Sequence, residues 1–302
     1  MIDSNLQIWK MPFIAEIWKN EFTHAVIDKQ YEIKLNDIII HIEPIEKEKI
    51  SGYFLFQFIN DENSVNSAEA FAEQIKQKEF EDFNRILLLK GLNLEVTWNK
   101  IETVDFPKGK NLHTLKLCSI KYKTLDWPIS FSNEDIKSIE KIYNKIQQHQ
   151  KKIHINNILN LLTMHSSNEM ENFFYKWVSF NQIYSYDRPD TEFERMSIEQ
   201  FANRYSTFPE SNQQIEQCAS VFSLLCEVDH FNKQGTENFS LGLMQSLNDV
   251  NNSEIWRYAF LCVYSIRNEF FHKGQEHTEF GKISSFISDV VVTSLNNIFR
   301  LK

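Results

Sequence analysis

Residues Trp256 to Gly274 read W-R-Y-A-F-L-C-V-Y-S-I-R-N-E-F-F-H-K-G. Phe260, Val263, Tyr264 and Ile266 recur at three- and four-residue steps, which predicts a helix with a buried face. The apolar run leads directly into Arg267 and Asn268, then Glu269, two phenylalanines, His272 and Lys273, with Gly274 as the expected helix stop. A core helix ordinarily keeps its charges on the outward face and ends quietly. Here a fixed cation is followed by an imidazole, a group suited to proton transfer. On an ideal helix of 3.6 residues per turn, Arg267 and His272 point about 140° apart. They converge only if the helix ends between them, or if a second subunit supplies its own copy.

Outward from this stretch the pattern stays helical. Downstream, Ile283, Phe286, Ile287, Val290, Val291, Leu295 and Ile298 predict a final helix over 282–300. Upstream, Ile215, Cys218, Val221, Phe222, Leu225 and Val228 predict one over 213–231, and Ile198, Phe201 and Tyr205 a shorter one over 197–205. Phe173, Phe174, Trp177, Phe180, Ile183 and Tyr184 form a wide apolar band on a helix opened by Asn168-Glu169. That periodicity makes the band core and not a stacking platform for bases. Ile136, Ile139, Ile142 and Ile146 begin the series, and Ile155, Ile158, Leu159 and Leu162 resume it after the Lys- and Gln-rich stretch 145–152. Asp187 to Asp190 and Asn232 to Asn238 read as breaks. Asp229-His230 is adjacent in sequence, so its side chains diverge on a helix and do not form a catalytic pair. The whole region, 131–302, is expected to be an all-α bundle.

Residues 1–130 carry a different signal. Tyr31 to Leu35 alternates with period two, and Ile38 to Ile42 is a β-branched run, so a hairpin through Asn36-Asp37 is expected. Tyr53 to Ile59, Leu92 to Trp98 and Leu112 to Lys123 read as further strands, and Ala68 to Asp82 as an amphipathic helix with Phe71, Ile75 and Phe80 inward. Trp127-Pro128 closes this part, and Ser132-Asn133-Glu134-Asp135 supplies helix-start chemistry, which sets the boundary near residue 130. The expected fold class is therefore α+β: a small mixed N-terminal domain followed by a helical bundle. His24, His41 and His113 stand alone and read as structural or merely surface-exposed. By elimination, the N-terminal domain is expected to be regulatory or sensory, taking a ligand or a protein partner.

Only 7 Gly and 6 Pro among 302 residues favour a globular chain with few loops. No apolar run approaches the ~20 residues that span a bilayer, and the N-terminus lacks a basic start followed by an apolar core. Cys118, Cys218, Cys226 and Cys262 have no C-x-x-C pairing and read as reduced core thiols of a cytoplasmic protein. The net charge of -9 is spread evenly, 16 basic against 20 acidic residues before Glu134 and 16 against 21 from there on. A general polyanion binder is basic. RNA would therefore need a local patch, for which Lys151, Lys152, Arg267 and Lys273 are the candidates. No metal-ligand cluster or phosphate-binding glycine loop is visible, so no cofactor is expected.

Arg267-Asn268-x-x-x-His272 on a late helix of an all-helical region resembles the Arg-x4–6-His signature of HEPN domains. The run Phe173 to Tyr184 resembles the aromatic helix of the Apea-like branch of that family. The resemblance covers roughly residues 135–302. It implies a metal-independent endoribonuclease acting as a homodimer, in a toxin or anti-phage defence setting, with Arg267 and His272 as the catalytic pair and Asn268 as the polar residue beside the arginine. One departure matters. In the HEPN branch paired with nucleotidyltransferase antitoxins, a tyrosine two positions after the histidine is adenylylated. Here Gly274 occupies that position, which leaves the N-terminal domain as the seat of control. The alternative expectation is a non-catalytic HEPN-like module that binds a nucleotide or a protein.

Overall fold

The computed structural model describes residues 6–19, 30–35, 38–46, 49–59, 64–89, 92–104, 133–164, 166, 168–186, 193–273 and 279–301. The chain divides into two compact units, Met1–Lys152 and Ile153–Lys302.

The first unit is built on an antiparallel sheet. Its strands are β1 (Leu6–Lys19), β2 (Tyr31–Leu35), β3 (Ile38–Glu46), β4 (Lys49–Ile59), β5 (Leu92–Trp98) and β6 (Glu102–Val104). They are ordered β2-β3-β4-β1-β5, with β6 also on β1. The expected hairpin is present, Ile33 opposite Ile40. The strands expected at 53–59 and 92–98 are present too, whereas Asn36-Asp37 and 112–123 lie outside the described residues.

The central strand, β1, was not anticipated from the sequence. Its odd residues Trp9, Met11, Phe13 and Ala15 are buried, and Lys10, Pro12, Ile14 and Glu16 alternate with them. Pro12 is tolerated because of where its edge points. Its carbonyl accepts the Asn99 N–H at 3.0 Å, so the missing donor faces the gap between β5 and β6, where no ladder bond is lost.

Helices cover the buried face: α1 (Ser64–Ile75), a π-helical turn (Lys76–Phe80) and α2 (Glu81–Leu88). Phe13, Phe54, Phe80 and Trp98 form one ring cluster, with centroids 5.1 to 6.3 Å apart. The cluster depends on Gly52, where a Cβ would lie 2.4 Å from the Phe13 ring. Asn84 of α2 pairs with the Leu94 backbone, accepting at 2.9 Å and donating at 3.4 Å. Helix α3 (Asn133–Gln148), expected at the start of the bundle, belongs to this unit, where it packs against α2 and β2. Gln147 donates to Asp82 at 3.5 Å. Trp127-Pro128 and Ser132 lie outside the described residues.

The second unit is helical: α4 (Lys152–Thr163), α5 (Glu169–Tyr184), α6 (Glu194–Tyr205), α7 (Ser211–Gln217), α8 (Ala219–Glu227), α9 (Phe239–Asn248), α10 (Asn252–Lys273) and α11 (Phe280–Ile298). Asn168 caps α5, its side chain accepting from the Met170 and Glu171 N–H groups. The single helix expected over 213–231 is two, broken at Cys218, and Val228 beyond its end is exposed. Phe174 also departs from expectation: it is 41% exposed, while Phe173, Trp177 and Phe180 are buried. Helix α10 packs on α6 and α9, and α11 on α5.

Trp256, fully buried at the start of α10, meets Tyr205, Phe222, Phe260 and Phe286 at centroid distances of 4.7 to 6.2 Å. Gly242 of α9 lets α10 approach closely, since a Cβ there would sit 2.4 Å from the Tyr258 ring. Among the described residues no helix is long and apolar enough to cross a membrane.

Candidate functional site at the end of α10

Helix α10 runs unbroken through both Arg267 and His272 to Lys273. The five-residue step therefore turns the two side chains about 140° apart. They do not converge within one chain. Gly274, the expected stop, lies outside the described residues.

Arg267 is held by aromatic faces more than by charge. Its guanidinium carbon lies 5.5 Å from the Trp177 ring centroid and 5.3 Å from that of Phe271. Nη1 donates to Asn268 Oδ1 at 2.8 Å and stands 3.6 Å from Glu194 Oε2. The second contact is an ion pair too long to be a hydrogen bond. Nε is buried and has no hydrogen-bond partner among the described residues. The side chain as a whole is 24% exposed. Asn268 accepts from the guanidinium and so orients it.

Glu194 is the residue that sequence reasoning missed. It opens α6, where a carboxylate suits the positive helix end. Its Oε1 accepts the Tyr184 hydroxyl at 2.6 Å and Asn181 Nδ2 at 3.5 Å, leaving Oε2 toward Arg267. Burial first, and then the Glu194 charge, push the Tyr184 phenol far above its ordinary range, so Tyr184 stays a donor. Glu194 is far from Arg267 in sequence and no spacing rule joins them. Tyr184 was read as core, and only its hydroxyl discloses the second role.

His272 is exposed, one position before the last residue of α10. Phe271 beside it is 42% exposed and meets Phe174 edge-on at 5.8 Å. The side chain of Lys273 lies outside the described residues. Lys151 is exposed in the turn before α4, its N–H donating to His149 Nδ1 at 3.0 Å, and Lys152 opens α4. Both belong to the first compact unit, whereas Arg267, Asn268 and His272 belong to the second.

Other charged groups have structural roles. Arg257, ten residues before Arg267 on α10, reaches Glu254 at 2.9 Å, Glu199 at 3.1 Å and Glu237 at 3.4 Å. Arg195 shares Glu199 and Glu237, at 3.0 and 2.5 Å. Lys176 of α5 donates to the carbonyls of Leu162 and, at 2.8 Å, Met164, closing the C-terminus of α4. Burial pulls its amine down to about 8. Asp229 and His230 lie beyond the end of α8 and not on a helix as expected; Asp229 accepts from Asn238 at 2.7 Å, and His230 is fully buried.

In the sheet unit His41 is buried, stacked on Tyr53 at 4.6 Å, with Glu32 and Glu43 at 3.6 and 3.9 Å. His24, His113 and Cys118 lie outside the described residues. Cys218, Cys226 and Cys262 are free, and burial raises all three thiols, Cys218 to about 12. Among the described residues no group of three or more His, Cys, Asp or Glu is placed to hold a metal ion. Compared with protein-family models, with curated proteins and with solved structures, the chain matches none.

Proposed function

We propose that the chain is an endoribonuclease that cleaves RNA through its own 2′-hydroxyl, with each site completed by a second copy. The observation that carries the reading is the state of the two groups on α10. His272 is exposed, and Arg267 is oriented by Asn268 and two rings while its Nε has no hydrogen-bond partner among the described residues. A phosphate oxygen can be met by the exposed part of this guanidinium, since arginine binds non-bridging oxygens through its N–H donors.

In the reaction the 2′-hydroxyl gives its proton to an imidazole acting as base, and its oxygen attacks phosphorus. The bond from phosphorus to the 5′-oxygen breaks, and that oxygen takes a proton from a second imidazole. The products are a 2′,3′-cyclic phosphate and a free 5′-hydroxyl. Arg267 stabilises the charge that develops on the non-bridging oxygens. One histidine per chain provides one proton-transfer group, and a two-fold pair brings two. The nucleophile comes from the substrate, so no step requires a metal or cofactor. A toxin or an anti-phage effector is the setting that fits such a nuclease, with control residing in the sheet unit through a ligand or protein partner.

The test is incubation of the full chain with RNA, with and without EDTA, beside His272→Ala. Cleavage that survives chelation, leaves cyclic phosphate ends and is lost in the variant supports the reading. Cleavage equal in both proteins defeats it.

The second reading is a HEPN-like module that binds a nucleotide or a protein without catalysis. It is favoured by the Glu194 carboxylate 3.6 Å from Arg267, which already balances the arginine charge. Under it, Arg267 and His272 only help to hold the bundle together, and wild-type protein leaves RNA intact.

A further inference from the structure

Arg267 has two anions to consider: the one it would bind, and the one already beside it. Glu194 cannot drift away freely, because Tyr184 and Asn181 both hold its Oε1 and α6 begins at its backbone. Its other oxygen stands 3.6 Å from Arg267 Nη1, beyond hydrogen-bonding reach, while Asn268 takes the short 2.8 Å bond to the same nitrogen. The orientation of the guanidinium is therefore set by Asn268 and by the Trp177 and Phe271 rings. What Glu194 contributes is charge. A negative group fixed at that distance opposes any second anion that approaches the same guanidinium.

We propose that Glu194, anchored by Tyr184, is a built-in competitor that weakens the binding of phosphate groups at Arg267. The ligand class is a phosphate-bearing anion, and the inference rests on Arg267 being the phosphate-holding residue of the proposed nuclease. It goes further in naming the residue that limits occupancy. A site restrained in this way ignores isolated phosphates at modest concentration. It fills when a longer chain contributes additional contacts, a property suited to a nuclease inside an acidic protein.

The buried Arg267 Nε–H provides a readout that does not depend on cleavage. Its proton–nitrogen correlation, assigned by its disappearance in Arg267→Lys, is followed as inorganic phosphate is added to the full-length chain. The wild type is expected to respond, and Glu194→Gln to respond at roughly threefold to fivefold lower phosphate, the scale of a partly exposed ion pair. Glu194→Asp, which draws the carboxylate back by one methylene, shifts the midpoint the same way by less and replaces the glutamine variant if that fails to fold.

Equal midpoints in wild type and both variants overturn the proposal. So does a higher midpoint in the variants, or a signal that phosphate never moves. A chain that shows the Glu194 dependence but leaves RNA uncut defeats the nuclease reading alone. A chain that cuts RNA with unchanged midpoints defeats the competitor alone.

Discussion

Arg257 and Arg267 stand on the same helix and the same type of backbone, yet their surroundings are opposites. Arg257 is surrounded by three carboxylates within 3.4 Å, two of them shared with Arg195, and it ties α6, the residue before the α9 cap and α10 together. Among the described residues Arg267 has one carboxylate at 3.6 Å, an amide, two ring faces and an Nε without a hydrogen-bond partner. An arginine whose charge is matched on several sides is a structural part, since any further anion meets a wall of like charge. One held by rings keeps its donors for something else. Both stand on one helix rich in apolar residues, and much of the distinction is made by what the neighbouring helices carry: Glu199 beside Arg257, Trp177 and Glu194 beside Arg267.

The largest effect is expected at the exposed end of this contrast. His272→Ala should lower RNA cleavage about 10²- to 10⁴-fold, the usual contribution of a positioned proton-transfer group. Thermal stability should not change, because the imidazole is exposed. Single-turnover rates alongside a melting curve check both halves. A mixed dimer of one Arg267→Ala chain and one His272→Ala chain sharpens the point. If the residues cooperate between copies, the mixture cleaves faster than either mutant homodimer, and no gain on mixing means each chain works alone.

Arg267→Ala comes next, with a rate loss of about two to three orders of magnitude, or roughly 3–4 kcal/mol of lost charge stabilisation. Arg267→Lys should recover only part, because the ammonium lacks the planar fork. Full recovery by lysine would mean that charge alone matters and that the packing of the guanidinium on Trp177 and Phe271 is incidental.

A third cation tests the idea that surroundings decide the role. Lys176 has carbonyl partners and its amine is pulled from 10.5 down to about 8 by burial. Its folded value lies below its unfolded value, so the unfolded chain binds the extra proton between pH 8 and 10.5. The penalty is fully present below pH 8 and is relieved as pH rises through that window. It amounts to up to about 3 kcal/mol, from ~1.4 kcal/mol per pH unit. The stability difference between wild type and Lys176→Met, measured by denaturant unfolding, should therefore move in favour of the wild type from pH 8 to 10. A constant difference would place the amine in a more hydrated setting.

The smallest expected change is Arg257→Ala, a loss of about 1–3 kcal/mol of bundle stability from carboxylates left short of a donor. Glu199 and Glu237 keep Arg195, which limits the cost. Cleavage per folded molecule should stay at the wild-type level. If Arg257→Ala abolished cleavage while Arg267→Ala merely unfolded the bundle, the assignment of the two arginines would be reversed.

Much of this molecule was legible in one dimension. Period-two alternation marked β2, a β-branched run marked β3, and three- and four-residue periodicity marked α5, α6, α10 and α11, because burial of a regular element leaves its trace in residue order. The division into a sheet-bearing first part and a helical second part followed from the same signal. So did the singling out of Arg267, Asn268 and His272, since polar groups interrupting a buried helix are visible without coordinates.

What the order of residues did not carry is whatever depends on partners far along the chain. β1 went unread although Trp9, Met11, Phe13 and Ala15 alternate, because Pro12 argues against a central strand until the gap between β5 and β6 is known. Helix α9 was not read from the sequence, and its close approach to Tyr258 of α10 is visible only in three dimensions. Helix α3 bears the same isoleucine stripe whichever surface it covers, and only packing against α2 and β2 assigned it to the sheet unit. Glu194 is the clearest case. A carboxylate opening a helix has an ordinary local explanation, the helix dipole. Its place between Tyr184 and Arg267 arises from three helices meeting, and no local pattern encodes a meeting of three.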